Sequence, residues 1–421
     1  MLKNLYFWIF CFFMPAKSLL SQVAPPAHSQ GIDFQNSDLS TVFNMAKAQK
    51  KPLFIEIHLN GCPHCEALAP VLAEKEVGEF YNHNFVSWKA EANSEGSKAL
   101  QKMKGITYPE FPILFYFDPE GNLMHMATPA EKHKRQEFIE EVIGNGQNAM
   151  NPKEQTSKYA ERFAAGDRSL QFLVNYGKYV KAIKDELQLN KINEAFASQL
   201  ISPQDKISQT GFYVLQRFVN DFNSPLAVYF FAHLPNFRAK YPAKDVKEAG
   251  ESVIFHSLFG SKADTYKPDE VVGMREQMVV LGVPATEAAS RTLIKEMDAH
   301  LRAKDTKAAV QVFNTYRKIS TTVDLAYYAY MLKYFNEKAV DNSYLSEMPG
   351  WAEAGLKMAK PHEKESKIAA DLYYELAEVY TKAGQNQLAS ETAANGLRIA
   401  RAVKMDLSRH ETQVERLKKE H

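Results

Sequence analysis

A chain of 421 residues is too long for one ordinary hydrophobic core, so two or three domains are expected. Its 51 Lys and Arg nearly cancel its 50 Asp and Glu, which leaves no electrostatic footprint for nucleic acid or for an anionic membrane surface. Apolar residues at 45% and charged residues at 24% are the shares of an ordinary soluble globular protein.

The chain opens with "MLKNLYFWIFCFFMPAKSLLSQVAPPAHSQ", in which Lys3 precedes an apolar run from Leu5 to Met14. Small residues follow, and Ala16–Ser18 and Leu19–Ser21 are candidate cleavage sites. This pattern is expected to be a secretory signal peptide over residues 1–21, with a buried N-terminal helix as the alternative. The run is too short to span a bilayer, and no later segment is long and apolar enough to do so. Cys11 lacks the small residues that a lipoprotein signal places before its cysteine. The mature protein is therefore expected to be exported, to a bacterial periplasm or beyond, with no membrane span.

Export simplifies the cysteine arithmetic. Of three cysteines, signal removal leaves Cys62 and Cys65, in the oxidising compartment where disulfides persist. A disulfide closing so small a loop removes little chain entropy and would be a poor staple. The pair reads as one kept for chemistry.

Leu39–Lys51 is expected to be a helix, with Val42, Phe43, Met45 and Ala46 on one face. "PLFIEIHL", residues 52–59, is strand-forming and apolar on both faces except at Glu56 and His58, which suits a covered central strand. Cys62 then opens a helix, with Pro63 at the first-turn position where its missing N–H does no harm. A strand over 84–92 and a helix over 95–105 follow. Residues 111–127 read as two strands joined by the "DPEG" turn, and residues 131–146 as a closing helix. His125 in "LMHMA" is expected to face solvent, and His58 to be a packing residue without chemistry. After a linker over Gly144–Gln155, the chain reads as helical to its end.

Three features give the first part a family likeness: "CPHC" after a buried strand, Glu56 six residues before Cys62, and Pro112 at a fixed distance ahead of "DPEG". Together they make residues from about Asp33 to Gly146 resemble the thioredoxin superfamily, in particular its exported bacterial members. The resemblance implies an α/β thioredoxin-like domain over 33–148 that exchanges disulfides with protein cysteines and needs no cofactor. Its implied site is Cys62 as attacking sulfur and Cys65 as resolving sulfur, the two forming the redox disulfide. A helix N-terminus favours a thiolate at Cys62, and His64 adds a donor or positive charge. Glu56 is placed to take the Cys65 proton. A cis peptide before Pro112 presents the Phe111 backbone to an extended substrate, with Pro63 beside it; Pro109 rivals Pro112 for that position.

Oxidase, reductase and isomerase directions use the same residues. The Pro–His dipeptide, found in oxidases of this superfamily, favours oxidising character; the alternative is a protein held reduced by a partner. Two departures bear on substrate preference and potential: Asn60–Gly61 replaces the usual Trp before the first cysteine, and "TYPEFP" lengthens the loop before Pro112.

Within the helical part, Asp371–Ala400 resembles a tetratricopeptide repeat, with Tyr373, Leu376, Ala377, Tyr380, Gly384 and Ala389 at its small and large positions. Met297–Phe313 and Trp351–Ala359 echo parts of the pattern. Residues 156–421 are thus expected to form an all-α region of degenerate tetratricopeptide-like repeats, whose grooved surface docks a protein client or partner. Two rival functions stand beside exchange. One is a Cu(I)- or zinc-binding thiol module on Cys62 and Cys65, although zinc asks for four ligands. The other is a non-catalytic interaction protein with an inert thioredoxin unit.

Overall fold

The computed structural model describes residues 31–419; the expected signal peptide and Cys11 lie outside the described residues. Asp38 caps the first helix by accepting a hydrogen bond from the Thr41 N–H at 3.0 Å, and α1 runs over Leu39–Gln49. In chain order there follow β1 (Leu53–His58), α2 (Pro63–Leu72), α3 (Lys75–Asn84), β2 (Val86–Glu91), α4 (Glu95–Lys104), β3 (Ile113–Phe117), β4 (Leu123–Ala127) and α5 (Arg135–Met150).

The four strands form one sheet in the order β2-β1-β3-β4. β1 pairs parallel to β2 and antiparallel to β3, and β4 returns antiparallel along β3. β1 is therefore interior, which is why its residues are apolar on both faces. Phe54, Leu114 and Tyr116 point to one face and pack with Leu68, Val71, Tyr81 and Val142 from α2, α3 and α5. On the other face the Phe43 ring of α1 meets Phe117 at 5.5 Å between centroids. Period-two alternation puts Glu56 and His58 on the same face as Phe54, the α2 side.

Three details depart from the sequence expectation, the first being that the expected linker over Gly144–Gln155 is helical as far as Met150, where α5 ends. α3 is an additional helix; a Cβ at Gly78 would lie 2.2 Å from the Gly31 carbonyl oxygen, so glycine permits this close approach. His125 is buried at 4% exposure and does not face solvent. Its Nδ1 accepts a hydrogen bond from the Thr156 N–H at 3.2 Å, because a short 3-10 turn at Thr156–Lys158 covers β4.

The chain divides into two compact units. One ends at Asp167 and also takes in Lys181–Lys184; the other holds Arg168–Val180 and the chain from Asp185 onward. The described residues of the second unit are helical apart from turns and loops. Two of its hairpins share one turn geometry: Ala285–Arg302 with Thr306–Ile319, and Lys367–Lys382 with Asn386–Ala402. At each turn one residue takes a left-handed backbone, Lys304 at φ 60° and Gly384 at φ 70°. In each the next N–H, of Asp305 or Gln385, reaches back at 2.9 Å to the carbonyl of His300 or Tyr380. The repeat-like stretch Asp371–Ala400 falls on the second hairpin. Trp351 anchors the core of this unit, 4.6 Å from the Phe313 ring and 5.5 Å from the Phe335 ring, and its indole N–H donates to Asn314 at 2.9 Å. Among the described residues no helix is long and apolar enough to cross a membrane.

Candidate active site

The end of β1 delivers the chain to the site through a tight turn. The Cys62 N–H bonds the Leu59 carbonyl at 3.1 Å, and Gly61 takes φ +73°, a backbone conformation that a side chain would strain. Cys62 is the N-cap of α2 and Pro63 occupies its first turn. The Cys62 side chain makes no capping bond, so its sulfur is left for other contacts. Cys65 lies one turn inside the helix and is buried at 7% exposure. Both cysteines are free thiols, Cys62 half-buried and Cys65 buried. Burial pushes the Cys65 thiol up to about 12, with Cys62 and the Glu56 charge adding to the effect.

The Phe111–Pro112 peptide is cis, and the Cys62 Sγ donates weakly to the Phe111 carbonyl at 3.9 Å. Pro112 is buried and Phe111 half-buried, so the strand-entry loop before β3 sits against the sulfur. Pro109 is not cis. Pro63 and His64 are exposed; the His64 Nδ1 lies 3.7 Å from Glu131, itself exposed, so solvent screens that pair.

Behind the sulfurs, Glu56 is buried at 5% exposure on β1, opposite Lys89 of β2 and Leu114 of β3. His58, which carried no chemistry in the sequence reading, bonds this carboxylate: its Nδ1 is 3.1 Å from Glu56 Oε2. That hydrogen bond holds the His58 imidazole above its ordinary pKa, against the opposing effect of burial. A cavity of about 340 Å³ joins these groups, lined by Glu56, His58, Cys65, Glu66 and Lys89 among others. The structure thus brings Cys62, Cys65, Glu56, Phe111 and Pro112 to one place, adds His58, and leaves His64 at the rim. Among the described residues no group of three or more His, Cys, Asp and Glu side chains is placed to hold a metal ion.

Residues 33–119, from α1 through β3, match a family model described as thioredoxin-like. The match spans the cysteine pair and Pro112, and the sheet order and the helices on both faces agree with it. The protein is a thioredoxin-like domain followed by an all-helical region. Of solved structures, the solution structure of a candidate disulphide isomerase from Bacteroides thetaiotaomicron is similar at 21% identity, covering 30% of this chain and 98% of that chain, with a TM-score of 0.25. No curated protein matches the chain.

Proposed function

We propose that the protein is an exported thiol–disulfide oxidoreductase acting on protein cysteines. The observation that carries this reading is the pair of sulfurs at the start of α2, one half-buried against the Phe111 carbonyl and one buried above a carboxylate-lined cavity. In the reducing direction the Cys62 thiolate attacks a substrate disulfide, and one substrate sulfur leaves as a thiolate. Cys65 then loses its proton to Glu56 and attacks the Cys62 sulfur. The Cys62–Cys65 bond forms, the second substrate sulfur leaves, and two electrons have passed to the substrate. Oxidation of a dithiol runs the same steps backwards, and the Pro63–His64 dipeptide favours that direction. The Phe111 backbone holds the substrate strand, and the helical region docks the client protein. Export is supported by the apolar run at Leu5–Met14.

Roles for the two sulfurs are separated by alkylation. Iodoacetamide at pH 7 is expected to modify Cys62 of the reduced protein at least about a hundredfold faster than Cys65, since only the thiolate reacts and burial keeps Cys65 protonated. Peptide mapping of the partly labelled protein reads the ratio. Preferential labelling of Cys65 reverses the assignment.

A further inference from the structure

A buried proton acceptor poses a transport problem. If Cys65 gives its proton to Glu56, both groups are largely shielded from bulk water, at 7% and 5% exposure, and the proton must move on from the carboxyl within the resolving step or return to Cys65. Beside Glu56, on the same strand face, His58 bonds Oε2 at 3.1 Å while its side chain is 30% exposed. Imidazole is the one side chain whose ordinary pKa suits both taking a proton from a carboxylic acid and losing it to water near neutral pH. The arrangement thus runs from a buried sulfur, through a buried carboxylate, to a ring that reaches solvent, along one cavity.

We propose that His58 is the solvent-facing arm of a Cys65–Glu56–His58 proton relay, which makes the resolving step of disulfide exchange dependent on pH. This rests on the oxidoreductase reading above. During resolution the Cys65 proton moves to Glu56, the Cys65 thiolate displaces the outgoing sulfur from Cys62, and Glu56 passes the proton to the neutral ring of His58. His58 then releases it to water, and the departing thiolate takes its own proton from solvent. His58 acts through Glu56, as a positioning residue that sets the charge state of the acceptor. The groups facing it are Glu56 on its own strand, Lys89 and Glu91 on β2, and Cys65 and Glu66 across the cavity from α2. Glu56 and Glu91 favour the protonated ring and Lys89 opposes it, so the ring stays charged to a pH above the ordinary imidazole range. A charged His58 accepts no proton, and the relay is lost as pH falls through that raised value.

The test mixes reduced full-length protein with oxidised glutathione from pH 5 to 8.5. Quenched samples are read by mass spectrometry for the Cys62–glutathione adduct and for its intramolecular decay to the Cys62–Cys65 disulfide. In the wild type the decay rate is expected to climb about tenfold per pH unit and to level off only above the ordinary imidazole range, once the pH has passed the raised value at which His58 becomes neutral. His58→Ala should decay at least about tenfold more slowly at pH 7.5 and climb without levelling, because Glu56 then has no ring to pass the proton to and the rising Cys65 thiolate fraction drives the step. Formation of the adduct should change less than about twofold, since the relay does not serve the first attack. Added imidazole should restore the lost rate in His58→Ala, and Glu56→Gln/His58→Ala should be no slower than Glu56→Gln alone. The relay is overturned if His58→Ala levels off at the same pH as the wild type, or if imidazole restores nothing. Failure of the wild type to form the adduct or the internal disulfide at any pH would instead strike at the oxidoreductase reading, and the relay would fall with it.

Discussion

Cys62→Ser is expected to lower the rate of disulfide exchange by at least about a thousandfold, measured as reduction of a peptide disulfide by the full-length protein under excess thiol. A serine hydroxyl is not ionised at neutral pH and forms no mixed disulfide, so the variant lacks the first bond of the reaction. Cys65→Ser should behave differently. Cys62 still attacks, but no second sulfur resolves the adduct, so the substrate accumulates on Cys62 as a mixed disulfide that dithiothreitol releases. The asymmetry follows from placement on α2: Cys62 is half-buried against the Phe111 carbonyl, and Cys65 is covered. Turnover surviving in Cys62→Ser, or a substrate trapped on Cys65, would contradict these roles.

The second large effect is on stability. Phe54 on β1 is fully buried, its ring 4.6 Å from Tyr81 and 5.2 Å from Tyr116. Those two tyrosines share a 2.8 Å hydrogen bond, and the Tyr81 hydroxyl also donates to the Val142 carbonyl at 2.7 Å. Phe54→Ala removes the ring on which this polar pair is packed, and a cost of about 3–5 kcal/mol is expected. The chain has two compact units, so one unfolding free energy for the whole molecule is not defined. Hydrogen exchange followed on peptides from β1 gives the local value. A loss below about 1 kcal/mol there would show that the site collapses around the gap, against the packing described.

Much of this site was legible from residues alone, for physical reasons. β1 shows itself because an interior strand covered on both faces must be apolar on both, so Glu56 stands out as an exception there. Cys62 and Pro63 announce a helix start because a proline is harmless only in the first turn. His58 was not legible as a functional residue. Alternation places it on the same face as Glu56, but nothing in the sequence says that the ring turns to the carboxylate at 3.1 Å. His125 was misjudged because the turn covering it begins 31 residues later, at Thr156. α3 escaped because "KEVGEFYNHN" is short, polar and interrupted by Gly78, whose purpose appears only when Gly31 packs against it. In the helical region the hairpin of Asp371–Ala400 was readable from its small and large positions, whereas its counterpart, with Lys304 in a left-handed turn where glycine is usual, showed only in part, over Met297–Phe313.

The central claim is that Cys62 and Cys65 form one two-electron redox couple. It is tested most directly by equilibrating the full-length protein across a series of glutathione ratios, quenching with acid and an alkylating agent, and weighing the peptide that carries both cysteines. One transition is predicted, from a doubly alkylated peptide to an internal disulfide, with a potential between about −270 and −120 mV, the span of thioredoxin-fold oxidoreductases. Two separate glutathione adducts on Cys62 and Cys65, with no internal disulfide at any ratio, would contradict it.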